Sequence, residues 1–187
     1  MSKIVKYIPY IGILGLIVLF KPSEYVIFGE WAFYLLILVM YIRPLRDIFP
    51  KVKIFQKLTL YRKEFGILVG VFGLTHVIGY FLDTKLGLDI VFNPNIWTID
   101  NYMAWGFIAL FVSIPLTITS NKFSMIKLGG KNWKRLQYLS YIMFFSVLFH
   151  MALVNQGKVT QSVIIGGLYI LIYIIAYYKN NLKFKKS

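Results

Sequence analysis

The chain has two histidines, and both fall inside apolar runs. His76 lies in EFGILVGVFGLTHVIGYF, Glu64 to Phe81, among glycines at positions 66, 70, 73 and 79. His150 lies in LSYIMFFSVLFHMALV. An ionisable ring inside hydrocarbon is costly and normally has a partner. There is no HExxH and no Cys/His cluster, so the metal motifs of soluble proteins do not compete. A proton pathway would want several intramembrane carboxylates, and Glu30 is the one acid inside an expected span. Two readings stay open: imidazoles that bond neighbouring helices, or imidazoles that hold one haem iron between them.

Positioning the two rings requires the whole chain to be embedded. It is 58% hydrophobic and 15% charged over 187 residues, with a mean hydropathy of +0.67. A soluble domain is about 45–50% apolar. The expected fold is an all-α membrane protein, one six-transmembrane-helix bundle over residues 1–187 with both termini cytoplasmic. The spans are read as Ile4–Phe20, Tyr25–Ile42, Phe65–Leu82, Tyr102–Ser120, Leu136–Val154 and Thr160–Tyr178. With the N-terminus inside, all of the 21 Lys and Arg residues except Lys21, Lys85 and Lys158 fall on the cytoplasmic side. The same bias makes the formal charge of +14 an orientation signal and argues against nucleic acid as a partner. Lys3 and Lys6 before an apolar run mimic a secretory signal, but no small-x-small site follows Phe20, so the first span is read as uncleaved. The longest outer loop, DTKLGLDIVFNPNIWTID, is expected to lie on the membrane or to cap the bundle. No internal repeat is evident.

His76 is 14 residues beyond Arg62, and His150 is 15 beyond Arg135. At ~1.5 Å rise per residue both rings lie about 21–22 Å from the inner charges. Spans three and five run the same way, so the rings sit at matching depth. That is what two axial ligands to one flat macrocycle require. Gly70, Gly73 and Gly79 leave room near His76 for a porphyrin or for a neighbouring backbone. A ligating imidazole normally donates its second N–H to an oxygen. Ser146, one turn before His150, or a backbone carbonyl would serve. With no cysteine, disulfides, thiolate-held iron–sulfur clusters and covalent haem are excluded.

YRKEFGILVGVFGLTHVIGY in the third span, PLTITS after the fourth and KLGGKNWKRLQYLSYIMFFSVLFH in the fifth resemble the ferric-reductase-like transmembrane domain. The likeness is best from Pro44 to Met151. It leans toward the branch that serves as haem-binding membrane subunit of a bacterial periplasmic methionine sulfoxide reductase. The resemblance implies a six-helix bundle in the bacterial inner membrane, with His76 and His150 as axial ligands of a haem b. The family usually has a further histidine in a W-x-x-L-H stretch. Here that position is Gln137, a poor iron ligand, so one haem is expected, and a second only through ligands the sequence does not identify.

Two neutral imidazoles leave no open iron position, which favours electron transfer over oxygen activation. No G-x-G-x-x-G is present, and Gly129–Gly130 reads as a turn rather than a phosphate loop. The expected donor is therefore quinol or a separate flavin reductase, with FMN or quinone as a further cofactor. The resemblance implies a periplasmic molybdenum-cofactor reductase as acceptor. The alternatives are a stand-alone ferric or oxygen reductase, and a non-catalytic scaffold or transporter. The candidate site is thus His76 and His150 on the iron, with Gly73 and Ser146 beside it.

Overall fold

The computed structural model describes residues 20–154 and 158–184. The first expected span, Ile4–Phe20, lies outside the described residues apart from its last position. Among the described residues the chain is α-helical with short 3-10 turns. The helices are α1 (Tyr25–Ile48), α2 (Lys53–Leu60), α3 (Arg62–Thr84), α4 (Tyr102–Ile118), α5 (Lys122–Leu128), α6 (Gly130–Gln137), α7 (Leu139–Val154) and α8 (Val159–Phe184).

Four stretches are long and apolar enough to cross a membrane: Pro22–Ile48, Arg62–Thr84, Gly130–Val154 and Val159–Leu182. A fifth is α4 taken together with α5, which it meets at a 92° bend. This is a multi-pass membrane protein. The expected spans two, three, five and six fall on these four helical stretches. Three of them run several residues further at the charge-rich end: α1 continues to Ile48, α6 begins at Gly130, and α8 reaches Phe184. Apolar content marks only the part of a helix that meets hydrocarbon, whereas Arg, Lys and Tyr carry it on through the headgroups.

The fourth span ends at Ile118, two residues earlier than expected. Thr119 Oγ1 and Ser120 Oγ donate to the carbonyls of Pro115 and Leu116, both at 2.6 Å, and so satisfy the last turn of α4. Asn121 then caps α5, its Oδ1 accepting from Ser124 N at 2.7 Å. Gly129, at φ 74°, makes the turn into α6.

The helices form antiparallel pairs. α1 lies against α3, with Tyr25 beside His76 at one end and Val39 beside Arg62 toward the other. α4 lies against α7, with Tyr102 beside His150, and Thr119 receives the indole N–H of Trp133 from α6. Small residues permit this closeness. A Cβ on Gly70 would lie 2.0 Å from Thr117 Oγ1, and one on Gly79 would lie 2.6 Å from Tyr25 Cβ. α8 closes the bundle against α1 and α7 through a core that includes Phe33, Leu36, Met40, Phe144, Leu148 and Tyr169. Outward faces stay apolar: Val163, Ile164 and Leu171 of α8 are all more than half exposed. Surface of that kind is stable only in lipid or against a partner.

The loop between α3 and α4 both caps and projects. Ile96 is buried, and Trp97 donates its indole N–H to Val91 O at 2.9 Å while its ring packs near Phe107. Phe92 and Ile99 stand more than 80% exposed, the placement expected of side chains dipping into an interface.

Candidate functional site

α3 and α7 each deliver one histidine to the same internal cavity, of about 370 Å³. The ring centroids of His76 and His150 are 6.3 Å apart, with planes at 80°. His76 Nδ1 donates to the carbonyl of Tyr25 at 2.8 Å. His150 Nδ1 donates to the carbonyl of Tyr102 at 2.9 Å. A carbonyl can only accept, so each neutral ring carries its proton on Nδ1 and presents a lone pair at Nε2. Among the described residues neither Nε2 has a protein partner.

The two half-sites repeat each other. Tyr25 and Tyr102 are the first residues of α1 and α4, and each is followed four positions later by a glycine, Gly29 or Gly106. A Cβ on Gly29 would lie 2.7 Å from His76 Nδ1, and one on Gly106 would lie 3.0 Å from His150 Nδ1. Each glycine therefore makes the space in which a ring reaches the carbonyl one turn before it. Tyr-x-x-x-Gly at the start of a span is the signal that sequence reading passed over. The tyrosine rings add packing: Tyr25 to His76 at 5.5 Å, Tyr102 to His150 at 5.9 Å, and the Tyr80 and Tyr102 hydroxyls 3.4 Å apart.

The remaining expected residues divide. Gly73 lines the cavity, and a Cβ there would meet nothing within 4 Å. Gly70 and Gly79 serve helix contact instead. Ser146 is buried and does not line the cavity, and the acceptor for His150 is the Tyr102 carbonyl. Gln137 ends α6 with its Nε2 buried and, among the described residues, without a hydrogen-bond partner. At the cavity's rim Lys158 pairs with Glu30 at 3.3 Å.

Two imidazoles ligating one metal from opposite sides each hold their centroid roughly 3.2 Å from it, taking a metal–nitrogen bond of ~2.0–2.1 Å and the ring's own radius. The separation required is about 6.4 Å, close to the 6.3 Å seen here. Among the described residues no group of three or more His, Cys, Asp or Glu side chains surrounds an ion. The rest of the lining is mostly apolar, with Phe33, Leu36, Val69, Leu110, Met143 and Val147, and suits a hydrophobic ligand.

A multi-pass helical bundle with one internal two-histidine cavity is the class of protein that this geometry defines. The chain belongs to the family described as ferric reductase like transmembrane component, which it matches over residues 28–148. The match contains His76 and stops two residues short of His150. Among curated relatives, the protein-methionine-sulfoxide reductase heme-binding subunit MsrQ of Agrobacterium fabrum is 30% identical over 149 residues, 76% of this chain and 63% of that protein. MsrQ of Brucella ovis is 35% identical over 130 residues, 65% of this chain and 52% of its own length. The magnetosome protein MamZ of Magnetospirillum gryphiswaldense is 27% identical over 157 residues, 81% of this chain but 22% of the relative. The chain thus spans about a fifth of MamZ and about six tenths of the Agrobacterium MsrQ. No solved structure matches it.

Proposed function

We propose that this protein is a membrane electron-transfer subunit that holds one haem b between His76 and His150. The observation that carries the reading is the pair of rings 6.3 Å apart, each tethered at Nδ1 and, among the described residues, without a protein partner at Nε2. Haem, when bound, would supply a one-electron redox couple. The protein's own contribution is to fix the imidazoles. The Tyr25 and Tyr102 carbonyls set the tautomer and the ring orientation and raise the basicity of Nε2. Gly29 and Gly106 keep those carbonyls within reach, Gly73 keeps one wall open, and the lining is mostly apolar.

Charge orients the bundle. Arg43, Arg46, Arg62, Lys134 and Lys179 lie at the end opposite the histidines, which supports a cytoplasmic location for that end, and for the end of α8, in a bacterial inner membrane. The histidines then sit in the outer half of the bilayer, placed to deliver electrons outward. The similarity to MsrQ supports a periplasmic methionine sulfoxide-type reductase as acceptor. His76 lies about 21 Å of helix rise beyond Arg62, and Gln137 is a poor candidate for an inner iron ligand. A donor that enters the membrane fits this spacing, so quinol is favoured over a soluble flavin reductase. The test is anaerobic reduction of the purified protein by a quinol analogue, without any soluble reductase, followed by absorbance. Full reduction is expected. Reduction only after a flavin reductase is added would overturn the donor assignment.

A further inference from the structure

The charge-rich end of the bundle contains a second cavity, of about 200 Å³, enclosed by α1, the start of α3, α6–α7 and α8. Arg43, Arg62 and Lys134 all face it, and Asp47 is its one carboxylate. That carboxylate is already engaged: Arg46 Nη2 lies 2.8 Å from Oδ1, and Asn180 Nδ2 donates to Oδ2 at 3.3 Å. Among the described residues none of the three facing cations is in an ion pair. Arg62 is held in place, its Nε donating to Val39 O at 3.2 Å, and it is half-buried. A guanidinium withdrawn from water without a counter-charge is costly, so the cavity is short of an anion.

The walls supply neutral donors as well. Tyr169, Tyr173 and Tyr177 recur every four residues along one face of α8, opposite Tyr141 of α7. Tyr169 is buried, while Tyr173 and Tyr177 are about half exposed and mark the mouth. Half-exposed tyrosines beside unpaired Arg and Lys are the arrangement of a headgroup layer.

We propose that this cavity seats the phosphate of an anionic phospholipid from the adjacent leaflet, its acyl chains running outside along α1 and α8. Basic pockets between spans at the cytoplasmic side are suited to such headgroups. Size separates this occupant from a nucleotide-like one. The volume is below the ~300–1,000 Å³ that enclose a drug-sized ligand, but a phosphodiester whose tails stay in the bilayer needs less. The assignment is independent of the haem site.

The test uses purified, delipidated protein in neutral detergent, titrated with phosphatidylglycerol, phosphatidylcholine or inorganic phosphate, and read by native mass spectrometry and thermal unfolding. The variant is the double substitution Arg43→Gln, Lys134→Gln, both at exposed side chains, with its fold checked by circular dichroism. Phosphatidylglycerol is expected to bind saturably and to raise the unfolding temperature, and phosphatidylcholine is not. The variant is expected to bind phosphatidylglycerol roughly tenfold or more weakly. Equal binding of the two lipids, or an unaltered affinity in the folded variant, would overturn the proposal. A full stabilising shift from inorganic phosphate alone would overturn the lipid as the source.

Discussion

Replacing Gly29 with alanine tests how the histidine cavity is built. The new Cβ would lie 2.7 Å from His76 Nδ1 and 2.9 Å from Cε1, whereas ordinary contacts begin near 3.4 Å. The ring must retreat by roughly 0.7 Å, well beyond the ~0.2 Å tolerance of a metal–ligand bond. The retreat also breaks the bond from Nδ1 to Tyr25 O. Overpacking costs about 1–3 kcal/mol and the lost hydrogen bond about 0.5–1.5 kcal/mol. Loss of an outer-shell partner typically weakens metal binding 10–100-fold. Gly106→Ala is milder, because its Cβ would lie 3.0 Å from His150 Nδ1 and relief needs only a few tenths of an ångström. Gly73→Ala meets nothing. Haem content per folded protein, measured by pyridine haemochrome after size-exclusion chromatography, should therefore fall most for Gly29→Ala, less for Gly106→Ala and least for Gly73→Ala. Full occupancy in Gly29→Ala, or the reverse order, would refute the reasoning.

Gly73→Leu should leave thermal stability near wild type while lowering haem content sharply, since its side chain enters cavity space rather than protein. Gly70→Ala is the converse: the contact with Thr117 should cost about 1–3 kcal/mol in a chemical or thermal unfolding assay, with an unchanged spectrum in the folded fraction. Ser146→Ala should leave the haem spectrum and its midpoint potential unaltered, because the Tyr102 carbonyl orients His150. A shifted potential there would restore Ser146 to the site.

Much of this bundle could be read from the chain because lipid imposes simple rules. Long apolar runs gave the spans from Tyr25 onward, and the matching distances of His76 and His150 from Arg62 and Arg135 anticipated that the rings would meet. The misplaced boundaries arise where hydropathy carries no signal. α1 continues six residues past Ile42 because Arg43 and Arg46 are at home in headgroups. α4 stops early because Thr119 and Ser120 bond back to its carbonyls. The glycines of the third span look alike in sequence, yet Gly73 faces the cavity while Gly70 and Gly79 face Thr117 and Tyr25. Spacing gives a helical face but does not say which neighbour lies opposite it. The carbonyls of Tyr25 and Tyr102 could not be seen for a plainer reason: any residue has a carbonyl. Only the recurrence of glycine four positions later at two helix starts marks them.

The most direct measurement of the central claim is the absorbance spectrum and haem count of purified wild type, His76→Ala and His150→Ala. One low-spin b-type haem per chain is expected in the wild type, lost or converted to high spin in either variant. Spectra and stoichiometry unchanged in both variants would show that the two imidazoles do not hold the iron.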